Sequence, residues 1–566
     1  MAFDIKTLMP PWLDGYRGSN LFPDILAGLI LSVLLVPQAM AYAQLAGLPP
    51  ETGLYAALTP PLLYLFFGTS PYVSLGPVAL VSLLVAEATG NGDIAPLDGA
   101  MIIAIEAGII LCLLGLFRLG RLVNFVSEPA LLGFTAAAAV LIATSQLPPL
   151  LGLDVARSGN LIDTATVLLP VLGETVIAAL LIGGGALVLL LLADRYAAAG
   201  LWKAGIRPPW RQAIVKSVPL VIIVGAALAV QFAAPDVATV QKTEGGLPAL
   251  ALPPIDPAIW LRLLPSAAVV AIIAFVIGTA VAKSLAGKER RSLDTSREAF
   301  AIGAANIGAG LTGGYAVGVS LSRSALVCDS GARSPLASMV AALVVLAVLL
   351  FFANALSYLP QTALAALVIS AVFGLVKTRE IAAIWRYSKI EGAVFLATLL
   401  ATLLLGVQWG LAVGALLGIA AFLWFSSVPR VTRVGSLDDG ESFRSIDRDE
   451  VEVDTMPVLV VRIDRSIYFG NASYCEDRIL EEVAWHPDAT CLILDMRAVN
   501  TIDASGVAMM ERLLDNLDSK DLSINFAATH KPIWEGLQAN GQARSRNFYR
   551  TVAEAVEECG GQSETG

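Results

Sequence analysis

The chain has 566 residues, 56% of them hydrophobic and 15% charged, with a mean hydropathy of +0.72. Soluble domains carry about 25% charged residues, so an ordinary cytosolic enzyme is excluded and a membrane body is expected. The net charge of −10 leaves no case for a nucleic-acid partner.

Residues 1–20 hold Lys6 and Arg17 but no short apolar stretch with a cleavage site, so they read as an N-terminal cytoplasmic segment rather than a signal peptide. Residues 21–427 read as the membrane domain, 428–452 as a linker and 453–566 as a soluble domain. At about 20 apolar residues per span, and allowing for short or broken ones, spans fall at 22–46, 53–68, 76–90, 99–117, 129–147, 165–193, 214–234, 263–286, 296–312, 318–332, 336–357, 361–376, 391–407 and 410–426. After even-numbered spans come Arg118/Arg121, Arg195/Lys203/Arg207/Arg211, Lys288/Arg290/Arg291, Arg333, Lys377/Arg379/Arg386/Lys389 and Arg430/Arg433. Odd-numbered loops offer little beyond Arg157, Lys242 and Arg262. Basic loops mark the cytoplasmic side, so both termini are expected there, with a bacterial plasma membrane as the expected location.

Two of the fourteen spans are too short and open alike. Gly68-Thr-Ser-Pro-Tyr-Val-Ser-Leu-Gly76-Pro77 leads into the third, and Gly313-Gly-Tyr-Ala-Val-Gly318-Val-Ser320 into the tenth. Each predicts a few extended residues and then a helix starting deep in the protein, with Pro77 suited to a first turn. Gly76 and Ser320 are 244 residues apart, and fourteen spans divide into seven plus seven. Interrupted segments at matching places in two halves point to a binding site between inverted repeats; two ordinary glycine-rich loops are the plainer reading.

Facing helix N-termini present free N–H groups and positive dipole ends, which suit an anion. Ser320 and Ser322 add hydroxyls. Arg323 stands in a small, apolar segment, where an arginine is costly and marks a functional site; otherwise it snorkels or pairs with an acid such as Glu106. Gln38 and Tyr42 lie four apart on one helix face. They can serve an oxyanion or glue helices together. Glu106 and Glu174 are the intramembrane acids available for proton coupling, with Glu87 and Glu128 nearer span ends. The eighth span has no acid before Lys283. His486 and His530, the only histidines, lie in the last quarter, so the membrane part holds no histidine relay or metal site. Cys112, Cys328, Cys475, Cys491 and Cys559 show no paired spacing and read as ordinary reduced thiols. No nucleophile–base constellation and no cofactor site is evident in the membrane body, so an enzyme is not expected.

The tail reads as strand (Val458 to Ile463), helix (Cys475 to Val483), strand (Cys491 to Met496), strand (Ser523 to Ala527) and C-terminal helix (Tyr549 to Glu558), an α/β domain. In Asp503-Ala-Ser505-Gly506 a strand gives way to a helix. Ser505 is there a candidate phosphosite, and plain N-capping by Asp503 or Ser505 fits equally.

Asp24-x-x-Ala-Gly-Leu, the Pro37-Gln-Ala-Met-Ala-Tyr-Ala run through Gly53-Leu-Tyr55, Gly68-Thr-Ser, Ser74-Leu-Gly-Pro and Ser320-Leu-Ser-Arg-Ser resemble the SulP family (solute carrier family 26). The Asp503-Ala-Ser-Gly tail resembles a STAS domain. The resemblance implies an α-helical polytopic membrane protein of fourteen spans in a seven-plus-seven inverted repeat with core and gate subdomains, followed by a soluble α/β STAS domain. It also implies elevator-like alternating access, a homodimer and a cytoplasmic regulatory partner at the STAS domain. Carried onto this chain, the anion site would be lined by Gln38, Tyr42, Val78, Leu321, Ser322 and Arg323. Ile277 stands where proton-coupled members often have glutamate and resembles the neutral segment of the exchangers, which favours exchange or facilitated transport, or else gives the coupling role to another acid such as Glu106. Sulfate is the expected substrate. Bicarbonate/chloride exchange and C4-dicarboxylate carriage come next, and an anion sensor or a nucleobase permease is more distant.

Overall fold

The computed structural model describes residues 10–13, 16–90, 94–120, 126–155, 159–205, 210–233, 236–240, 246–288, 293–436, 443–446, 455–518, 522–539 and 546–561. They form two compact units, 1–419 and 420–566.

In the first unit the helices are α1 (Leu21–Ala46), α2 (Pro50–Phe67), α3 (Ala79–Thr89), α4 (Pro96–Leu116), α5 (Glu128–Ser145), α6 (Leu147–Leu151), α7 (Leu161–Leu168), α8 (Ile177–Lys203) and α9 (Trp210–Ala233). There follow α10 (Pro257–Lys288), α11 (Thr295–Leu311), α12 (Leu321–Asp329), α13 (Leu336–Phe351), α14 (Ala353–Leu356), α15 (Gln361–Val372), α16 (Thr378–Tyr387), α17 (Lys389–Leu405) and α18 (Val407–Ser427), which runs on into the second unit. Among the described residues eight helical stretches are long and apolar enough to cross a membrane: those containing α1, α4, α5, α8, α9, α10, α15 and α18. The other six helices at expected spans are α2, α3, α11, α12, α13 and α17. α3, α11, α12, α13 and α17 are at most 17 residues long, whereas α2, at 18, falls short in apolar character because it carries Glu51, Pro60 and Pro61.

α1–α4 pack mainly with α10–α13, and α5, α8, α9, α15 and α17 mainly with one another, with α1 also lying against α9 and α15. The packing is reciprocal. α1 lies on α13 as α10 lies on α4; α4 lies on α11 as α13 lies on α2; α5 lies on α17 as α15 lies on α8. In the α4–α11 contact glycines face each other: a Cβ on Gly108 would come 2.7 Å from the Gly303 carbonyl oxygen, and one on Gly303 2.6 Å from the Cys112 nitrogen. With no hydrophobic force between helices in lipid, such backbone approach supplies the dispersion energy of association.

One span differs from expectation. The stretch 165–193 is no single helix: α7 ends at Leu168, a 3-10 turn runs Leu169–Glu174, and the membrane-length helix α8 starts only at Ile177. Pro170 and Gly173 interrupt the apolar run, and Glu174 is exposed in that turn, outside the span. α16, expected only as a basic loop, is a short amphipathic helix.

The second unit contains a sheet ordered β4-β3-β5-β6-β7-β8, from β3 (Val431–Ser436), β4 (Phe443–Ser445), β5 (Val458–Ile463), β6 (Cys491–Asp495), β7 (Ser523–Ala527) and β8 (Phe548–Tyr549). β5 to β8 are parallel, and β3 is antiparallel to both β4 and β5. The parallel strands are apolar on both faces because helices cover both. α19 (Ala472–Trp485), α20 (Ala504–Asp518) and α21 (Lys531–Ala539) pack with one face through Ile479, Met509, Leu513 and Ile533. α22 (Val552–Gly561) packs with the other through Val552, Ala555 and Cys559. The expected linker 428–452 therefore contains two strands of this sheet. The last helix starts later than expected, because Phe548 and Tyr549 join the sheet.

Candidate functional site

The two interrupted segments meet. Leu75–Gly76 (β1) and Gly318–Val319 (β2) pair antiparallel, with Leu75 opposite Val319 and Gly76 opposite Gly318. Because the pair is antiparallel and each strand leads into a helix, α3 and α12 start from opposite ends of the same short ladder. Ser320 caps α12, its hydroxyl accepting from the Arg323 N–H at 3.4 Å. Val78 occupies the cap position of α3 in extended conformation, with no side-chain cap. The first-turn N–H groups of α3 lack a side-chain acceptor, so the dipole end is left for something else.

Arg323 is wholly buried. Its Nη1 donates to the Pro77 carbonyl at 2.9 Å, joining the two half-helix openings. Among the described residues Nε and Nη2 have no partner, and no carboxylate pairs with the guanidinium. Nη2 lies 3.4 Å from where a Cβ on Gly76 would stand. Tyr42 and Tyr315 are close enough to interact with its charge. Gln38, one turn before Tyr42 on α1, is buried with its Oε1 unpartnered; α1 itself packs on both α3 and α12. Val78 is half-buried, and Leu321 (51% exposed) and Ser322 stand at the uncovered mouth. The arrangement is an open pair of helix ends backed by a sealed guanidinium with donors to spare, which can accept a small anion.

The lead-ins are held by residues whose role the sequence did not announce. On α11, buried Asn306 accepts from the Val317 N–H at 2.8 Å and donates to the Val317 carbonyl at 3.1 Å, acting as a strand partner for the segment before α12. Also on α11, buried Glu298 accepts from the Tyr64 hydroxyl and the Thr69 hydroxyl, each at 2.6 Å, which fixes the segment before α3. Asp24 on α1 accepts from the Arg333 and Ser334 N–H groups at 2.6 and 3.1 Å and from the Ser334 hydroxyl at 2.6 Å, tying α1 to the turn after α12. The available signal was a polar residue in an otherwise small or apolar helix.

Glu106 is buried on α4 with Oε2 unpartnered and forms no ion pair with Arg323. A cavity of about 370 Å³ at the C-terminal end of α1, lined by Gln44, Gln146, Asp154 and Gln361, contains none of the predicted site residues. In the second unit Ser505 is exposed in the first turn of α20. Asp503 is the cap: it accepts from the Gly506 N–H at 2.9 Å and from the Phe469 N–H at 2.9 Å. These backbone donors, that of Gly506 foremost, hold its carboxyl below the usual aspartate range.

Residues 21–398 match the sulfate permease family, and residues 450–555 match the STAS domain. The chain is 33% identical to the chloroplastic sulfate transporter 4.1 of Arabidopsis thaliana, over 98% of this chain and 83% of that one. It superposes with a TM-score of 0.86 on the murine solute carrier 26 family member A9 anion transporter in its inward-facing state, at 23% identity over 99% of this chain and 95% of that one. The transmembrane domain of a cyanobacterium bicarbonate transporter matches with a TM-score of 0.60 and 21% identity, over 70% of this chain and 98% of that one.

Proposed function

The chain belongs to the sulfate permease family, an integral membrane family of transporters rather than enzymes, and from that membership we propose that it is a secondary transporter of sulfate. The observation that carries the reading is Arg323: wholly buried, without a carboxylate partner, and with two donor nitrogens unspent beside two helix N-termini. A buried cation left unpaired costs several kcal/mol, on the order of the penalty for any isolated buried ion. A dianion at the half-helix ends offsets it. Gln38, Tyr42, Val78, Leu321 and Ser322 line the same place, the first two from α1 and the others from the helix openings. The chain's likeness to a chloroplastic sulfate transporter supports sulfate.

Reciprocal packing and the antiparallel β1–β2 pair support an inverted repeat. The group α1–α4 with α10–α13 is then the core that carries the anion past the gate formed by α5, α8, α9, α15, α17 and α18, an elevator motion. Both termini and the STAS domain face the cytoplasm of a bacterial plasma membrane, on the strength of the basic loops. The transporter works as a homodimer whose STAS domain takes a regulatory partner. Ile277 on α10 favours a second reading, bicarbonate or chloride exchange, since a neutral residue there offers no proton site.

The test is radiolabelled sulfate uptake into proteoliposomes, with internal anion and proton gradient varied independently. Uptake that follows internal bicarbonate or chloride and ignores pH establishes an exchanger. Uptake that follows an inward proton gradient assigns the coupling to an acid outside α10, Glu106 first. No sulfate flux under any gradient, with bicarbonate flux present, overturns the sulfate assignment.

A further inference from the structure

Cysteines far apart in sequence meet beneath the last helix. Cys491 opens β6 and is 2% exposed; Cys559 lies on α22 and is 7% exposed. Between them stands Asn525 of β7, whose single Nδ2 donates to the Cys491 sulfur at 3.3 Å and to the Cys559 sulfur at 3.1 Å. One nitrogen reaching both sulfurs places the two thiols close together. The surrounding layer is otherwise apolar: Val458, Val460, Ile493, Ala527, Val552 and Ala555. A polar amide in such a layer needs partners, and here its partners are the two sulfurs.

We propose that Cys491 and Cys559 are a modification site, a dithiol that hydrogen peroxide converts to a disulfide joining α22 to β6.

The chemistry follows from the contacts. The Asn525 amide donates to both sulfurs, and the Cys559 thiol lies beside the Cys491 sulfur as a further donor. The neighbouring Cys559 thiol foremost, with the Asn525 amide, holds the Cys491 thiol below the ordinary thiol range despite its burial, whereas the Cys491 sulfur beside it and burial push Cys559 above that range against the Asn525 donor. The thiolate is the reactive form. Cys491 thiolate attacks one peroxide oxygen, the O–O bond breaks, and hydroxide leaves, so the sulfur becomes a sulfenic acid. Cys559 then gives up its proton and attacks the Cys491 sulfur. The S–S bond forms, the S–O bond breaks, and the leaving hydroxide takes that proton as water. In sum, two thiols and one peroxide give one disulfide and two waters. Peroxide is small enough to reach a thiol that a bulky disulfide oxidant would meet only after α22 lifts. Cys475, also buried, has no such neighbour, and burial pushes its thiol up to about 12.

The full-length protein in detergent, exposed to hydrogen peroxide, denatured and alkylated, tests this. Alkylatable thiols are expected to fall from five to three, with one cross-linked pair of peptides containing Cys491 and Cys559. Cys112, Cys328 and Cys475 should remain alkylated. Exchange of α22 amides should slow by about tenfold or more, and dithiothreitol should reverse it. In Cys559→Ser, Cys491 should instead be trapped as sulfenic acid by dimedone. Five alkylatable thiols after peroxide, or Cys491 and Cys559 each oxidised singly in the unsubstituted chain, overturns the proposal. The peptide map of the unsubstituted chain decides this even if a variant fails to fold.

Discussion

Replacing Arg323 with alanine removes the only full positive charge at the two half-helix ends described above. Opposite unit charges 4 Å apart interact by about 4 kcal/mol at an effective dielectric of 20, and a dianion doubles that before desolvation is subtracted. Truncating one partner of a buried charge pair commonly costs 2–5 kcal/mol, so a loss of about 2–4 kcal/mol in sulfate binding is expected, roughly 30- to 700-fold in Kd. The free protein should behave in the opposite sense. Arg323 is buried without a carboxylate, so its removal relieves a desolvation cost and gives up one hydrogen bond, to the Pro77 carbonyl. The Tm without sulfate should therefore hold or rise, while the upward shift that sulfate produces disappears. Arg323→Met, closer in volume, separates charge from cavity and should match alanine in binding with a higher Tm. Calorimetric titration of sulfate, paired with thermal unfolding with and without sulfate, reads both quantities. Unchanged affinity in either variant refutes the reasoning and leaves the helix ends alone holding the anion. Lost affinity together with a Tm drop in Arg323→Met assigns Arg323 a structural role.

Asn306→Ala leaves both the N–H and the carbonyl of Val317 without a partner, at about 1–3 kcal/mol each; it should lower Tm and weaken sulfate binding, both visible in the same titration and melt. Glu87 on α3 accepts from the Val407 N–H at the start of α18 at 3.1 Å, and a Cβ on Gly406 would meet its Oε1 at 2.5 Å. Glu87→Ala and Gly406→Ala should both loosen α3 from α18, raising labelling of a cysteine placed near Val407 by about 5- to 150-fold, the range of a 1–3 kcal/mol bond; Glu87→Gln, which keeps an acceptor, should do less. Asp503→Ala removes the cap of α20 and should speed exchange of the Gly506 amide by an amount matching about 1 kcal/mol. The folded carboxyl lies below its unfolded value, so this stabilisation is full above the ordinary aspartate range near ~4 and is lost as pH falls through the folded value. The variant and the unsubstituted chain should therefore converge in acid. Ser505→Glu, adding negative charge in the first turn of α20, should slow exchange there by an amount matching about 0.3–1 kcal/mol.

Membrane embedding, the abrupt change of character before the soluble tail and the two short helices were legible because each is written as local composition. Apolar runs must be long to span lipid, and a run broken by Gly-Thr-Ser-Pro or Gly-Gly-Tyr cannot continue as helix. The same locality explains the failure at 165–193, where apolar character persisted through Pro170 and Gly173 although the backbone did not stay helical. It also explains the overlooked β3 and β4, short strands with charges interleaved, whose membership in the sheet depends on β5 being there to pair with.

Arg323 could be singled out from the sequence because an arginine among small apolar residues is improbable without a use. What the sequence left open was whether it had an acid partner. Only the fold answers that, because Glu106 stands on α4 and the guanidinium turns to the Pro77 carbonyl across the β1–β2 pair. Asn306, Glu298 and Asp24 clamp segments 11, 229 and 309 residues away, and no local rule carries such distances. The thiols of Cys491 and Cys559 had no spacing to mark them; they meet because a parallel sheet sets β6 beside β7 and the final helix crosses that face. Local propensity and hydropathy are properties of neighbours in the chain, and the sequence determined what depends on them. The pairing of half-helices, the clamps that hold them and the contact between two distant sulfurs are properties of neighbours in space, which the tertiary structure alone decides.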